Sequence, residues 1–256
     1  MKRFITNHMF MLNGLGSIED KSAAIQTSIK LIESATSSGL FASDCLITWA
    51  KSLGFLEDPL FVSSFNGVLH NNPDNSWIGT AWRTHIMCWC AMHCLNIEGD
   101  FAEVGCYAGN TVKMVIDYSD FKNSSKTYWL YDMFENQGNV TQTLALHSET
   151  LYQSVIDKFK DYNNVKINKG IIPEVFDILG LPEKIAFLHI DLNNAASERQ
   201  ALERMYDRLS IGAIIIFDDY GWVQYRPQKD TIDEFFKKIN KSVLELPTGQ
   251  GLLIKS

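Results

Sequence analysis

The chain has 256 residues, is 46% hydrophobic and carries a formal net charge of −7. That apolar content supports one large domain with a real core and leaves room for a smaller N-terminal part. The acidic balance argues against a duplex nucleic-acid binder, and no run of about 18 apolar residues marks a membrane span. The opening MKRFITNHMFML begins with a basic pair, but Asn7 and His8 interrupt its apolar stretch, so no signal peptide is expected. Five cysteines, an odd number, then fit reduced thiols and a cytoplasmic location.

The first hundred residues read as helical. IEDKSAAIQTSIKLIESATSSG has apolar residues near helical spacing and a stop at Gly39. FASDCLITWAKSLGF reads as a shorter helix, and SSFNGVLHNNPDNSWIG as a polar connection. TAWRTHIMCWCAMHCLNIEG predicts a further helix ending near Gly99. Its His85, Cys88, Cys90, His93 and Cys94 are of metal-ligand type, yet Cys90 and Cys94 share a face with Met87 and Ala91, which favours a core helix over a zinc site. Trp82 and Arg83 open this helix, where they could meet a ligand or lie on ordinary surface.

From residue 100 the rhythm changes to strand and helix in strict alternation. DFAEVGCY, TYWLYDMF, NVKINKG, IAFLHIDL and AIIIFDD read as strands. The helices between them begin near Asn110, Ser148, Pro173, Ser197 and Pro227, with Ser197 and Gln200 fitting a capping box. SVLEL and LLIKS, joined by PTGQG, read as a closing hairpin that adds one antiparallel strand. The predicted fold is α/β: a doubly wound, mostly parallel, Rossmann-like sheet with a C-terminal antiparallel hairpin and a helical N-terminal extension.

Such sheets bind ligands at the carboxyl ends of their strands. Glu103, Asp132, Gly170, Asp191 and the pair Asp218–Asp219 all fall there. Asp often caps a helix, so any one of these is ordinary, whereas the set points to a site. The first turn, EVGCYAGN, gives Gly105 and Gly109 for close backbone approach and a helix start at Asn110 and Thr111. Tyr107 stands where a dinucleotide fingerprint needs glycine, and Glu103 repels phosphate, so a nicotinamide oxidoreductase is disfavoured. Glu103 can instead accept from an ammonium group, and Asp132 from ribose hydroxyls; S-adenosylmethionine carries both. The candidate cofactor-binding residues are Glu103, Gly105, Tyr107, Gly109, Asn110, Thr111, Asp132, Met133, Gly170, Ile171 and Asp191. His189, in an apolar strand, reads as a core histidine.

Six stretches, WRTHIMCWCA, GDFAEVGCYAGNT, YWLYDMFEN, HIDLNNAASE, GAIIIFDDYGW and LPTGQGLLIK, together with the QK and DEFF between the last two, keep the order and spacing of a known family. The chain resembles the class I S-adenosylmethionine-dependent methyltransferases, and among them the macrocin O-methyltransferase family, which methylates sugar hydroxyls of macrolides. The resemblance covers roughly residues 77–256, which implies a methyltransferase domain there and leaves residues 1–76 as a helical extension, a lid or a dimer contact. It implies a divalent metal, usually magnesium, held by Asp191, Asp218 and Asp219, with Asp191 catalytic. Carboxylates suit that ion, and an ion relieves the repulsion within the DD pair. In the family a second Asp follows two residues after the first; here that position is Asn193, an uncharged donor and acceptor. The implied function is O-methylation of a small hydroxylated molecule such as a sugar. A metal-independent N- or carboxyl-methyltransferase and a non-catalytic S-adenosylmethionine-binding module stay open as alternatives. The implied partner is a small-molecule acceptor, with no nucleic acid, no membrane and room for a homodimer.

Overall fold

The structure is a computed structural model that describes residues 3–5, 18–36, 39–70, 79–134 and 149–256. It divides into two compact units, Met1–His85 and Ile86–Ser256, with the division falling inside one helix.

The first unit is not all helical. Strand β1 (Arg3–Ile5) precedes helix α1 (Ile18–Ala35), and β2 (Leu40–Ser43) and β3 (Leu46–Thr48) complete a three-stranded sheet in the order β1-β2-β3. FASDCLITWA, expected as helix, therefore turns back on itself. Asp44 and Cys45 both take positive φ, 52° and 55°, which is the two-residue hairpin geometry that matches strand twist. Asp44 tolerates this backbone, and its carboxylate is gripped by Arg83, whose Nε and Nη2 each donate at 3.1 Å. Arg83 thus braces the hairpin. Helix α2 (Pro59–His70) replaces the first half of the expected polar connection. Phe61, Ser64, Phe65 and Val68 are its buried face, at helical spacing. The rest of that connection, 71–78, lies outside the described residues.

Helix α3 (Ala81–Cys94) leads into the second unit. There the alternation expected from the sequence is present: β4 (Asp100–Val104), α4 (Asn110–Ser119), β5 (Tyr128–Asp132), α5 (Glu149–Phe159), β6 (Val165–Lys169), α6 (Glu174–Leu179), β7 (Ile185–Ile190), α7 (Ala195–Met205), β8 (Leu209–Phe217), α8 (Arg226–Lys238), β9 (Leu244–Glu245) and β10 (Gly251–Ile254). The sheet runs β6-β5-β4-β7-β8-β10-β9. β4 through β8 are parallel, and the closing hairpin adds two antiparallel strands rather than one, β10 beside β8 and β9 beside β10. Strand order reverses between β4 and β7, which opens a crevice at their carboxyl ends.

Each face of the sheet carries its own apolar core. On one, Met87, Cys90, Ala91 and Cys94 of α3 pack with Val112, Val155 and Phe187; on the other, Leu202 of α7 and Phe236 of α8 pack with Ile215 and Phe217. Cys88, Cys90 and Cys94 are buried free thiols, and burial pushes Cys90 and Cys94 up to about 12, so they pack as small hydrophobes.

Helix α7 starts earlier than the Ser197–Gln200 capping box would place it. Asn194 is the N-cap, and its Oδ1 accepts from the Ser197 amide at 3.0 Å. Asn194→Ala is expected to lower the unfolding free energy by about 1 kcal/mol in urea titration, the ordinary cost of a lost cap. Ser197→Ala should leave it almost unchanged.

Candidate functional site at the strand ends

The backbone ladder continues one residue past β4, β6, β7 and β8. The amides of Gly105, Gly170, Asp191 and Asp218 donate to Tyr131, Asp132, Val104 and Ile190 at 2.7 to 3.0 Å. This fixes the first residue of those four loops and stacks the candidate side chains along one edge. At Gly105 the chain turns with φ +90°, and a Cβ there would lie 1.8 Å from the Asp191 carbonyl oxygen. Only glycine lets the first turn close onto the loop that carries Asp191.

Asp132 organises that turn. Its Oδ2 accepts from the Tyr107 amide and its Oδ1 from the Phe134 amide, both at 2.7 Å. Tyr107 adopts φ 45° within the turn. Gly109 has no room for a side chain, since a Cβ would meet the Phe159 ring at 2.7 Å. Asn110 and Thr111 start α4, and Asn110 Oδ1 accepts from Lys158 Nζ at 2.7 Å. Burial lowers that lysine to about 8. Met133 follows Asp132 and is half-buried; Gly170 sits against Val175; Ile171, 46% exposed, lies at the rim.

Glu103 has a different setting from the one expected of an acid facing an ammonium group. It is 1% exposed and lies within the sheet. Strand register places it beside His189, and Tyr128 Oη donates to its Oε2 at 3.3 Å. His189 Nδ1 is 3.2 Å from that same oxygen, and Nε2 is 3.6 Å from Asp218 Oδ1. Neither ring N–H is aligned well enough for a hydrogen bond, so these are charge–charge contacts. Burial alone would lower the imidazole; Glu103 and Asp218 reverse that and raise it to about 10. Asp218 is steadied from the far side by Gln250, whose Nε2 donates at 3.2 Å while Thr248 donates to its Oε1 at 3.0 Å.

Asp191, Asp218 and Asp219 come together as the sequence implied. One carboxylate oxygen from each lies within 4.8 Å of the others, with Asp218 buried and the other two half-buried. They are the one such cluster of metal-ligand side chains among the described residues. Three carboxylates this close repel one another, and a hard divalent cation with oxygen ligands answers that repulsion. Asn193 Nδ2 donates to Asp191 Oδ1 at 3.3 Å. The corner after Asp219 is docked on the closing hairpin, where the Gly221 amide donates to Gly249 at 2.7 Å.

Three residues of this region escaped the sequence reading as individuals. Glu198 is 3% exposed and accepts from Gln228 Nε2 at 2.6 Å and from the Leu192 amide at 3.4 Å. Burial raises its carboxyl to about 7. Gln228 and Gln250 lie in the QK and LPTGQG segments, whose spacing marked them without revealing their partners.

A seven-stranded sheet in this order, with acids gathered at the switch between β4 and β7, is the Rossmann-like methyltransferase fold. The chain belongs to the macrocin-O-methyltransferase (TylF) family, whose model matches residues 78–245. A curated relative, the demethyldecarbamoylnovobiocin O-methyltransferase of Streptomyces niveus, is 24% identical over 163 residues, which is 57% of this chain and 61% of that relative's own length. Among solved structures, the O-methyltransferase NovP superposes with a TM-score of 0.61 at 18% identity, over 80% of this chain and 100% of that one. The O-methyltransferase TomG from Streptomyces achromogenes, solved in complex with S-adenosylmethionine, superposes with a TM-score of 0.54 at 9% identity, over 80% of this chain and 95% of that one. No helix among the described residues is long and apolar enough to cross a membrane.

The His189 setting has a pH signature. Its folded pKa lies above the ordinary value, so the stability it contributes is complete below about pH 6.5 and is lost as pH rises through about 10. In excess chelator, the difference in unfolding free energy between wild type and His189→Gln is expected to be largest near pH 6 and to shrink steadily toward pH 10. A difference independent of pH would mean that the imidazole's pKa is not raised by folding.

Proposed function

We propose that the protein transfers a methyl group from S-adenosylmethionine to a hydroxyl of a small molecule, a sugar being the class that the family resemblance implies, with a divalent ion such as magnesium held by Asp191, Asp218 and Asp219. The observation that carries the metal half is the convergence of these three carboxylates within 4.8 Å at the ends of adjacent strands. The cofactor half is supported by family membership and by the Asp132-organised turn beside that cluster.

The residues present fit both groups. Asp132, at the end of β5, is an acid of the type that accepts from ribose hydroxyls, and the Gly105–Gly109 turn with the start of α4 offers backbone donors to an anionic end. Glu103 acts from beneath this turn, through its charge and its pairing with His189, rather than as an exposed partner of the ammonium group. A bound divalent ion supplies charge neutralisation and weakens the proton of a hydroxyl placed on it. The chain's own share is placement. Asp191 sits where the turn and the acid cluster meet, so it can orient an acceptor hydroxyl relative to the cofactor, and a near-attack arrangement of this kind provides much of what a displacement needs.

Calorimetry with S-adenosylhomocysteine is expected to give a Kd in the micromolar range, on the order of −8 kcal/mol, and Asp132→Asn to weaken it about tenfold, one hydrogen bond to a charged acceptor being worth about 1.5 kcal/mol or more. Binding of NAD in its place would overturn the cofactor assignment. On a panel of hydroxylated acceptors with magnesium, Asp191→Asn and Asp218→Asn should each cut turnover about a hundredfold or more while leaving the S-adenosylhomocysteine Kd nearly unchanged. Undiminished turnover in excess chelator would favour metal-independent transfer, and cofactor binding without turnover on any acceptor would favour a binding module.

A further inference from the structure

The loop from Asp191 to Asn194 carries an acid on which the metal half of the proposed site depends, and two polar side chains hold it. Asn193 takes φ +53°, a left-handed conformation that Asn tolerates better than most residues, and this turns its side chain back along the loop. Its Nδ2 then donates to Asp191 Oδ1 at 3.3 Å, while its buried Oδ1 makes no hydrogen bond. The opposite amide orientation would set oxygen against carboxylate, so the donor is the atom that faces Asp191. A carboxylate at position 193 would bring a fourth negative charge to the same oxygen; the amide brings a proton instead.

The second hold comes from α7. Glu198 Oε1 accepts from the Leu192 amide, one residue from Asp191, and from Gln228 Nε2 on α8. Glu198 and Gln228 are 3% and 4% exposed, so water does not compete for these bonds. The loop is tied in this way to two helices that pack on the sheet. Glu198 is not among the clustered carboxylates, so it is placed to act on the loop rather than on an ion.

We propose that Asn193 and Glu198 are positioning residues that set the Asp191 carboxylate for a divalent ion, Asn193 by direct donation and Glu198 through the Leu192 amide and Gln228. This rests on the metal half of the proposed function. Partners that orient a metal ligand typically change metal affinity by about 10- to 100-fold when removed. The departure at position 193 then has a chemical consequence. The residue has become a director of the first acid and is not a ligand with a missing charge.

The test uses the full chain with manganese as the probe, read by electron paramagnetic resonance of the free ion, and S-adenosylhomocysteine affinity measured in parallel by calorimetry. Asn193→Ala and Glu198→Ala are each expected to weaken manganese binding about tenfold or more while S-adenosylhomocysteine affinity stays within about twofold. Glu198→Gln keeps the oxygen that accepts from Leu192 and Gln228, so it should stay within about threefold of wild type. If Glu198→Ala fails to fold, Asn193→Ala and Glu198→Gln still decide. Manganese affinity unchanged in Asn193→Ala overturns the Asn193 assignment, and Glu198→Gln losing as much as a tenfold-weakened variant overturns the Glu198 assignment, since charge rather than hydrogen bonding would then matter. Wild-type protein that binds S-adenosylhomocysteine but no manganese contradicts the metal reading itself, and the positioning roles fall with it.

Discussion

A carboxylate buried in an apolar sheet is costly unless a cation or a full set of donors lies beside it. The second unit of this protein buries several, and meets the requirement with a row of side chains that crosses the sheet. Tyr128 on β5, Glu103 on β4, His189 on β7, Asp218 after β8 and Gln250 before β10 touch in sequence. His189 is central to it, because it supplies the positive charge that two buried acids share.

The row also explains why acids of one type take different parts. Glu103 and Asp218 are buried and both lie against His189. Asp191 and Asp219 remain half-buried at the edge, within 4.8 Å of Asp218. A cluster with one acid fixed by the interior and two turned toward the crevice is suited to hold a cation rigidly on one side and leave the other side to an acceptor. Asn193 and the Glu198–Gln228 pair fix the loop that carries the second acid.

Much of this was legible in the sequence because it depends on local pattern. The alternation of apolar runs with helical periodicity gives the parallel sheet, and the position of each acid just after an apolar run gives the edge on which it sits. The three-acid cluster follows once the order of strands is that of a doubly wound sheet. What was not legible depends on neighbours far apart in the chain. That Glu103 stands beside His189 is a matter of register between β4 and β7, and no local signal distinguishes a glutamate that faces a ligand from one that faces a histidine on the next strand. Gln228 and Gln250 find Glu198 and Asp218 across 30 and 32 residues. The hairpin at Asp44–Cys45 was hidden for another reason: its strands are too short, four and three residues, for a period of two to stand out. At Asn194, a cap directly after an amide of the same type was masked by a Ser-x-x-Gln pattern that also satisfies the rule for a helix start.

The account is tested most directly by crystals of the full chain grown with S-adenosylhomocysteine and manganese, with anomalous scattering recorded near the manganese edge. The account predicts one strong anomalous peak among the carboxylates of Asp191, Asp218 and Asp219, with the ribose of the ligand on Asp132 and His189 still seated between Glu103 and Asp218. An ordered ligand on Asp132 with no anomalous density among those three carboxylates at saturating manganese would contradict it.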